Sequence, residues 1–227
     1  MGRQVFICYG CKANRALLKS YGFVQRDNPV DFTLIPGGVA CARSVFDTWR
    51  TAGEAAQGEV RGQTIDRDSE WRQRVQLVAQ CGVLADVEKV RMTAGGPSGQ
   101  AVGGLRILLS DDAELVALGE MDASARLGAE LSVDTEQRVH RAVLALCRET
   151  IEASEPAGAG CASVADGGET AKVYREERCK LLRQAVAKVE NSARLAGDFG
   201  VVVESLEDGW MDRQQHELLR SINNLGF

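Results

Sequence analysis

The fold of this chain is decided by residues 4–36, QVFICYGCKANRALLKSYGFVQRDNPVDFTLIP. Residues 4–9 are an apolar run that is typical of a short strand. Residues 13–20 place leucines and alanines on one side of a short helix, with Asn14 near its start, where a capping side chain is favoured. Residues 31–35 alternate well enough to predict a second strand. The stretch therefore predicts a strand, a helix and a strand in close succession.

Most of the sequence that follows has helical patterning. Residues 37–66 show no sustained period, so we predict a surface-exposed connection there, with one helical turn in it. From residue 67 onward, apolar side chains recur at helical spacing in several segments. The predicted segments are a helix from 68 to 82, a strand over 87–93, a helix through 105–109, a helix over 134–153, a small-residue linker over 158–168, a helix over 169–195 and a last amphipathic segment after 210. The predicted fold class is mainly α, with a short β part near the N-terminus.

The composition excludes several classes of function. The 227 residues contain 27 Lys and Arg against 32 Asp and Glu, and the resulting net charge of −5 argues against a nucleic-acid-binding protein. No window approaches the roughly 18 consecutive apolar residues of a membrane span, so we predict no membrane association. The seven cysteines are an odd number without the spacing of a disulfide framework. They favour a reducing compartment, namely cytoplasm, nucleus or plastid stroma.

The cysteines and histidines do not form the pattern of a metal site. Cys8 and Cys11 have CxxC spacing, but zinc needs two more ligands at close spacing, and the sequence offers none there. We therefore expect two ordinary thiols, with no metal or redox role. His140 and His216 lie on predicted helices among charged residues, so we expect both on the solvated surface.

The predicted helix over 171–195 has a basic side. It carries seven Lys and Arg against three Glu, and no aromatic stacking pattern accompanies them. A solvated face explains this pattern best, because long charged side chains usually cover exposed helix surface. Contact with an acidic partner or with nucleic acid is the alternative.

Three aromatic residues near the N-terminus are candidate site residues. Tyr9 ends an apolar strand beside a glycine, which is a position from which a tyrosine hydroxyl can face a site. Tyr21 and Phe23 flank Gly22, and the residues alone fit a site or the core equally well.

The run over 5–23, followed by Asn28, Pro29 and Asp31, closely resembles the closing motif of the SET domain in the Rubisco large-subunit methyltransferase-like group of protein-lysine methyltransferases. The tyrosine, the helix-start Asn, Leu-Leu and Tyr-Gly-Phe fall in order at the family's spacing. The remaining sequence is similar, more loosely, to the helical substrate-binding domain that follows SET in this group. The resemblance implies three parts, which are the end of SET over 1–36, a linker over 37–66 and a Rubisco LSMT-like substrate-binding domain over 67–227.

The resemblance also implies a chemistry. In this family, S-adenosylmethionine and the target lysine of a protein substrate meet in a narrow channel, where the amine attacks the methyl group in line. By position, Tyr9 matches the active-site tyrosine and Phe23 matches an aromatic near the cofactor's adenine. Tyr21 is expected to line or support the same pocket. No metal is implied.

The sequence departs from the family in one large respect. The family's cofactor-binding glycine motif and its Asn-His-Ser segment should precede residue 1, and this sequence does not contain them. We therefore expect the C-terminal portion of a methyltransferase, mainly its substrate-binding domain, that is inactive alone and binds S-adenosylmethionine only with the rest of SET present. The alternative is a non-catalytic protein-docking module derived from a SET protein. The basic helix is predicted to hold an acidic surface of the substrate.

Overall fold

The protein is described by a computed structural model over residues 10–57, 66–154 and 168–199, with side chains through Ser192. This part is mainly helical with one small antiparallel sheet, which confirms the predicted fold class. The helices are α1 (Asn14–Tyr21), α2 (Gly38–Gln57), α3 (Arg67–Gln80), α4 (Leu84–Glu88), α5 (Gly99–Leu109), α6 (Asp112–Gly119), α7 (Ala123–Leu127), α8 (Val133–Ser154) and α9 (Gly168–Phe199). The strands are β1 (Thr33–Pro36), β2 (Lys89–Thr93) and β3 (Gly96–Pro97).

Helix α1 confirms the helix that was predicted over 13–20. Ala13 precedes it in an extended conformation and supplies no capping side chain. Gly22 ends it with φ at 75°, and the N–H of this glycine donates to the carbonyl of Leu18. This left-handed conformation costs glycine little, since it has no Cβ. The chain therefore leaves the helix directly before Phe23.

The sheet joins the N-terminal stretch to the middle of the chain. Strand β1 pairs antiparallel with β2, placing Thr33 opposite Met92, and β2 pairs antiparallel with β3. The strands predicted over 31–35 and 87–93 are confirmed, although α4 takes the first two residues of the second. The strand predicted over 4–9 lies outside the described residues.

The expectation of an exposed connection over 37–66 is wrong for most of its length. Helix α2 occupies 20 of these residues, and its Phe46 side chain is fully buried in the core. The helix begins close to α4, where a Cβ on Gly38 would lie 2.0 Å from the carbonyl oxygen of Val87. Its buried or partly buried apolar side chains do follow helical spacing, at Val39, Ala42, Phe46 and Trp49. The domain boundary in this region stays a prediction.

The core forms around α5, whose side chains are buried from Ala101 to Leu109. Helices α2, α3, α4 and α8 pack around α5, and the long helix α9 packs on α8. Arg106 of α5 forms a buried ion pair with Glu136 of α8, at 2.6 Å between Nε and Oε1. The helices predicted over 134–153 and 169–195 are confirmed and lie against one another. Helix α9 also contacts residues 26 and 27, which lie between α1 and β1.

A second buried charge fixes α3. Arg74 is fully buried, and its guanidinium donates to the carbonyl oxygen of Ser110 at 2.6 Å and lies over the Phe46 ring at 5.0 Å from the centroid. Burial and the neighbouring Arg50 lower the pKa of Arg74 to about 10, which leaves it charged at neutral pH. The aromatic face and the carbonyl thus take the place of water around this cation.

Candidate functional site

Two of the three predicted site residues lie side by side on the surface. The Tyr21 and Phe23 rings have centroids 6.3 Å apart, and the residues are 45% and 36% exposed. They flank the end of α1, so neither belongs to the core. Tyr9 lies outside the described residues. Its predicted place beside this aromatic pair therefore stays a prediction.

The segment that carries Phe23 is the α1–β1 loop, which we define as residues 22–32. Asn14, with no exposed surface, holds this loop from inside. Its side-chain oxygen accepts from the Gln25 N–H at 3.0 Å, and its Nδ2 donates to the Gln25 carbonyl at 2.9 Å. The same Nδ2 donates to Asp31 Oδ2 at 2.9 Å. The prediction that Asn14 caps the helix is wrong, because its side chain points to the loop instead.

The cap of α1 comes from Asp31, at the far end of the loop. Its Oδ1 accepts from the backbone N–H of Asn14 at 2.8 Å, so a carboxylate meets the positive end of the helix. Burial raises the pKa of the Asp31 carboxyl, and the hydrogen bonds from Asn14 oppose this rise. The nearby charge of Glu177 raises the pKa further. Asn14 and Asp31 thus close the loop into a fixed unit.

Helix α9 holds the same loop from outside. The backbone N–H of Asp27 donates to Glu177 Oε2 at 2.9 Å, and Asp27 has φ at 52°. Arg26 NH1 lies 3.5 Å from the carboxylate of Glu176 and 3.7 Å from that of Glu177, and Lys180 forms an ion pair with Asp27. The expectation of a solvated basic face on α9 is therefore only partly met. Arg175 is exposed, whereas Lys180 is engaged with the loop.

The histidine expected on the surface is half-buried. The Nδ1 atom of His140 is shut off from solvent and has no hydrogen-bond partner within the described ranges. Burial lowers its pKa below 6.5, and the charge of Arg106 lowers it further, while Glu136 raises it. The error arose because Glu136, a charged neighbour of His140 in the sequence, is buried and paired with Arg106 of α5. His216 and Cys8 lie outside the described residues.

In the part of the chain that the structure describes, no group of three or more His, Cys, Asp or Glu side chains is arranged to hold a metal ion. Cys11 is exposed, whereas Cys147 is buried and its pKa is raised to about 11 by burial. Among the described helices, none has the length and apolar content needed to cross a membrane.

Sequence reasoning missed the residues that hold the loop. Asp27, Asn28 and Pro29 were interpreted only as a turn, although Asp is one of the few residues that tolerate a left-handed backbone. That tolerance is the signal that could have placed a positive φ at Asp27. Glu177 lies 150 residues from Asp27. No local pattern could have connected these two residues.

Comparison with models of known protein families gives no match. Comparison with curated proteins gives no match either. The family that the motif over residues 5–31 resembles therefore stays a prediction.

Proposed function

We propose that this chain is the C-terminal portion of an S-adenosylmethionine-dependent protein-lysine N-methyltransferase, contributing the end of its SET domain and its helical substrate-binding domain. One observation supports this most strongly. The residues that match the family's spacing, from Asn14 to Asp31, form α1 and the α1–β1 loop, which together have a buried polar interior and an exposed aromatic pair. A motif whose spacing reflects one local structure is harder to match by chance than scattered identities.

The exposed aromatic pair fits the adenine end of the cofactor. A flat heteroaromatic ring stacks favourably on Phe or Tyr, and the Phe23 side chain remains accessible on the loop. S-adenosylmethionine, when bound, supplies an electrophilic methyl group. Phe23 and Tyr21 would hold its adenine end, and the Tyr9 hydroxyl would align the reacting groups, since such transfers depend on orientation and preorganised dipoles.

The substrate side of the proposal rests on α9. A protein substrate presents its target lysine on a surface that the helical domain must hold. Lys172 and Arg175 lie exposed on α9 and offer cations to an acidic part of that surface. Arg178 is half-buried and Lys180 is bound to Asp27, so they contribute less than the sequence suggested.

The test is S-adenosylmethionine affinity, measured by calorimetry on the longest native product of the gene and on the 227-residue chain. For the native product, we expect Phe23→Ala to weaken binding about tenfold, since it removes a stacking surface worth roughly 1–1.5 kcal/mol. Met121→Ala is the matched control, because Met121 is a similarly exposed apolar side chain on another part of the surface. We expect its affinity to equal that of the wild type.

Two results would overturn the proposal. A native product that binds no S-adenosylmethionine would leave the docking module as the function. Methyl transfer by the 227-residue chain alone would contradict its assignment as a portion that needs the rest of SET. A ligand at 100 times its Kd stabilises a competent fold by about 2.7 kcal/mol, so a thermal-shift measurement gives an independent check.

A further inference from the structure

The α1–β1 loop touches a helix that lies 150 residues away in sequence, and one carboxylate makes the central contact. Glu177 is buried on α9, although charged side chains at a helix surface usually remain in water. Its Oε2 accepts the backbone N–H of Asp27 at 2.9 Å, and its Oε1 lies 3.7 Å from Arg26 NH1. Both contacts are to the loop that carries Phe23.

The hydrogen bond from Asp27 falls on the strained point of the loop. Asp27 is the one non-glycine residue with a positive φ in the part of the chain that the structure describes. Such a conformation is sparsely populated for any residue with a Cβ, so it persists only where surrounding contacts hold it. The Glu177 carboxylate supplies that contact to the main-chain N–H of Asp27, and the Asp27 side chain pairs with Lys180.

The inner and outer contacts of the loop act on the same turn. Asn14 and Asp31 hold its two ends against α1, and Glu177 holds its middle against α9. The charge of Glu177 raises the pKa of the Asp31 carboxyl, so the two carboxylates lie near one another. The turn at Asp27 is thus held from α1 on one side and from α9 on the other.

We propose that Glu177 is a positioning residue, which fixes the Asp27 turn and thereby the exposed aromatic pair, so that α9 and the Tyr21–Phe23 surface form one mechanical unit. This inference deepens the proposed function and, for its cofactor consequence, rests on it. It makes the contact between α9 and the loop a determinant of cofactor affinity at the aromatic pair.

The first measurement is amide hydrogen exchange on the 227-residue chain, which needs no ligand. Glu177→Ala should raise the exchange rate of the Asp27 amide about tenfold, because the protecting acceptor is gone. Glu176→Ala is the matched control, since it removes the neighbouring carboxylate on the same helix and leaves the Asp27 bond intact. Glu177→Gln keeps an oxygen acceptor without the charge and should restore most of the protection. Equal exchange in Glu177→Ala and Glu176→Ala would overturn the inference, as would a Glu177→Gln variant as unprotected as Glu177→Ala.

The second measurement is S-adenosylmethionine affinity in the longest native product. Glu177→Ala should raise Kd about fivefold or more, with Glu176→Ala near the wild type and Glu177→Gln between them. If the wild type binds and Glu177→Ala binds as tightly as Glu176→Ala, the inference is overturned although the proposed function stands. If the wild type binds nothing, the proposed function fails, and the exchange measurement alone decides whether Glu177 positions the loop.

Discussion

Replacing Asn14 by Ala should release the α1–β1 loop and destabilise the fold by about 3 kcal/mol. Asn14 is fully buried, and four hydrogen bonds end on its side chain, to Gln25, Asn28 and Asp31. The two bonds to the Gln25 backbone contribute about 1 kcal/mol each and the bond to the Asp31 carboxylate about 1.5 kcal/mol, so the three bonds of 3.0 Å or less together contribute about 3.5 kcal/mol. Alanine favours the helix by about 0.5 kcal/mol over asparagine, which offsets part of this loss.

The matched control is Gln25→Ala. Gln25 enters the network through its backbone N–H and carbonyl, which this substitution keeps, and its side chain is exposed. We expect Gln25→Ala to change the free energy of unfolding by less than about 0.5 kcal/mol. Asn14→Ala therefore removes bonding groups from this network, whereas Gln25→Ala leaves them in place.

The assay is urea unfolding followed by circular dichroism, together with amide exchange at Gln25. Denaturation reports the global free energy of unfolding, and exchange reports opening of the loop alone. Asn14→Ala should lower the free energy of unfolding and should raise the exchange rate of the Gln25 amide. The reasoning would be refuted if Asn14→Ala stayed within about 0.5 kcal/mol of Gln25→Ala and its Gln25 amide remained protected.

Two further predictions follow from backbone contact and from burial of a histidine. Gly38→Ala should destabilise the protein by about 2–4 kcal/mol, because the new Cβ would meet a carbonyl oxygen of α4 at 2.0 Å. In the control Gly53→Ala, on the same helix, the new Cβ meets nothing within 4 Å, and the substitution should stabilise the protein by about 0.5–1 kcal/mol. Thermal unfolding compares the two variants, and equal melting temperatures would contradict the packing of α2. The pKa of His140 is lowered from 6.5 on folding, so its contribution to stability is fully present above pH 6.5 and is lost as the pH falls through the pKa of the folded state. The urea midpoints at about pH 7.5 and about pH 5.5 should therefore differ less in His140→Gln than in the wild type. An unchanged difference would contradict the buried position of this ring.

Local elements were predictable because their signals lie within a few residues. Helix α1 could be placed from its leucines and from Gly22, which ends it, and the strand β1 could be placed from alternation before Pro36 and Gly37. Helices α8 and α9 could be placed because an apolar stripe sustained over many turns is difficult to mistake. In these elements, the spacing of apolar residues along the sequence directly indicates which side chains are buried.

Helix α2 was not predicted from the sequence, and the reason is physical. Its buried stripe is interrupted by Arg43 and Arg50, whose guanidiniums lie over the Phe46 ring at 5.9 and 5.5 Å from the centroid. An arginine that covers an aromatic ring behaves as part of the apolar surface, yet a pattern of charged and apolar letters counts it as a break. The error in the predicted exposed connection came from that count.

Only those residues of the candidate site that belong to the motif could be predicted from the sequence. Tyr21 and Phe23 could be selected by their place in the motif, and their exposure agrees with a role at the surface. The contacts that fix them depend on Glu177, whose partner lies far away in the chain. A sequence alone gives no distance between two such residues.

The charge balance of α9 shows why such contacts matter for function. Over residues 171–195 of this helix, three glutamates appear to compensate part of the basic side. In the structure they serve other residues, since Glu176 and Glu177 meet Arg26, and Glu190 meets Arg148. The loop also engages Lys180 of α9, through the side chain of Asp27. Among the described residues, Lys172 and Arg175 have no ion-pair partner, so an acidic substrate surface held by α9 would contact the first turns of the helix, next to the end that positions the aromatic loop.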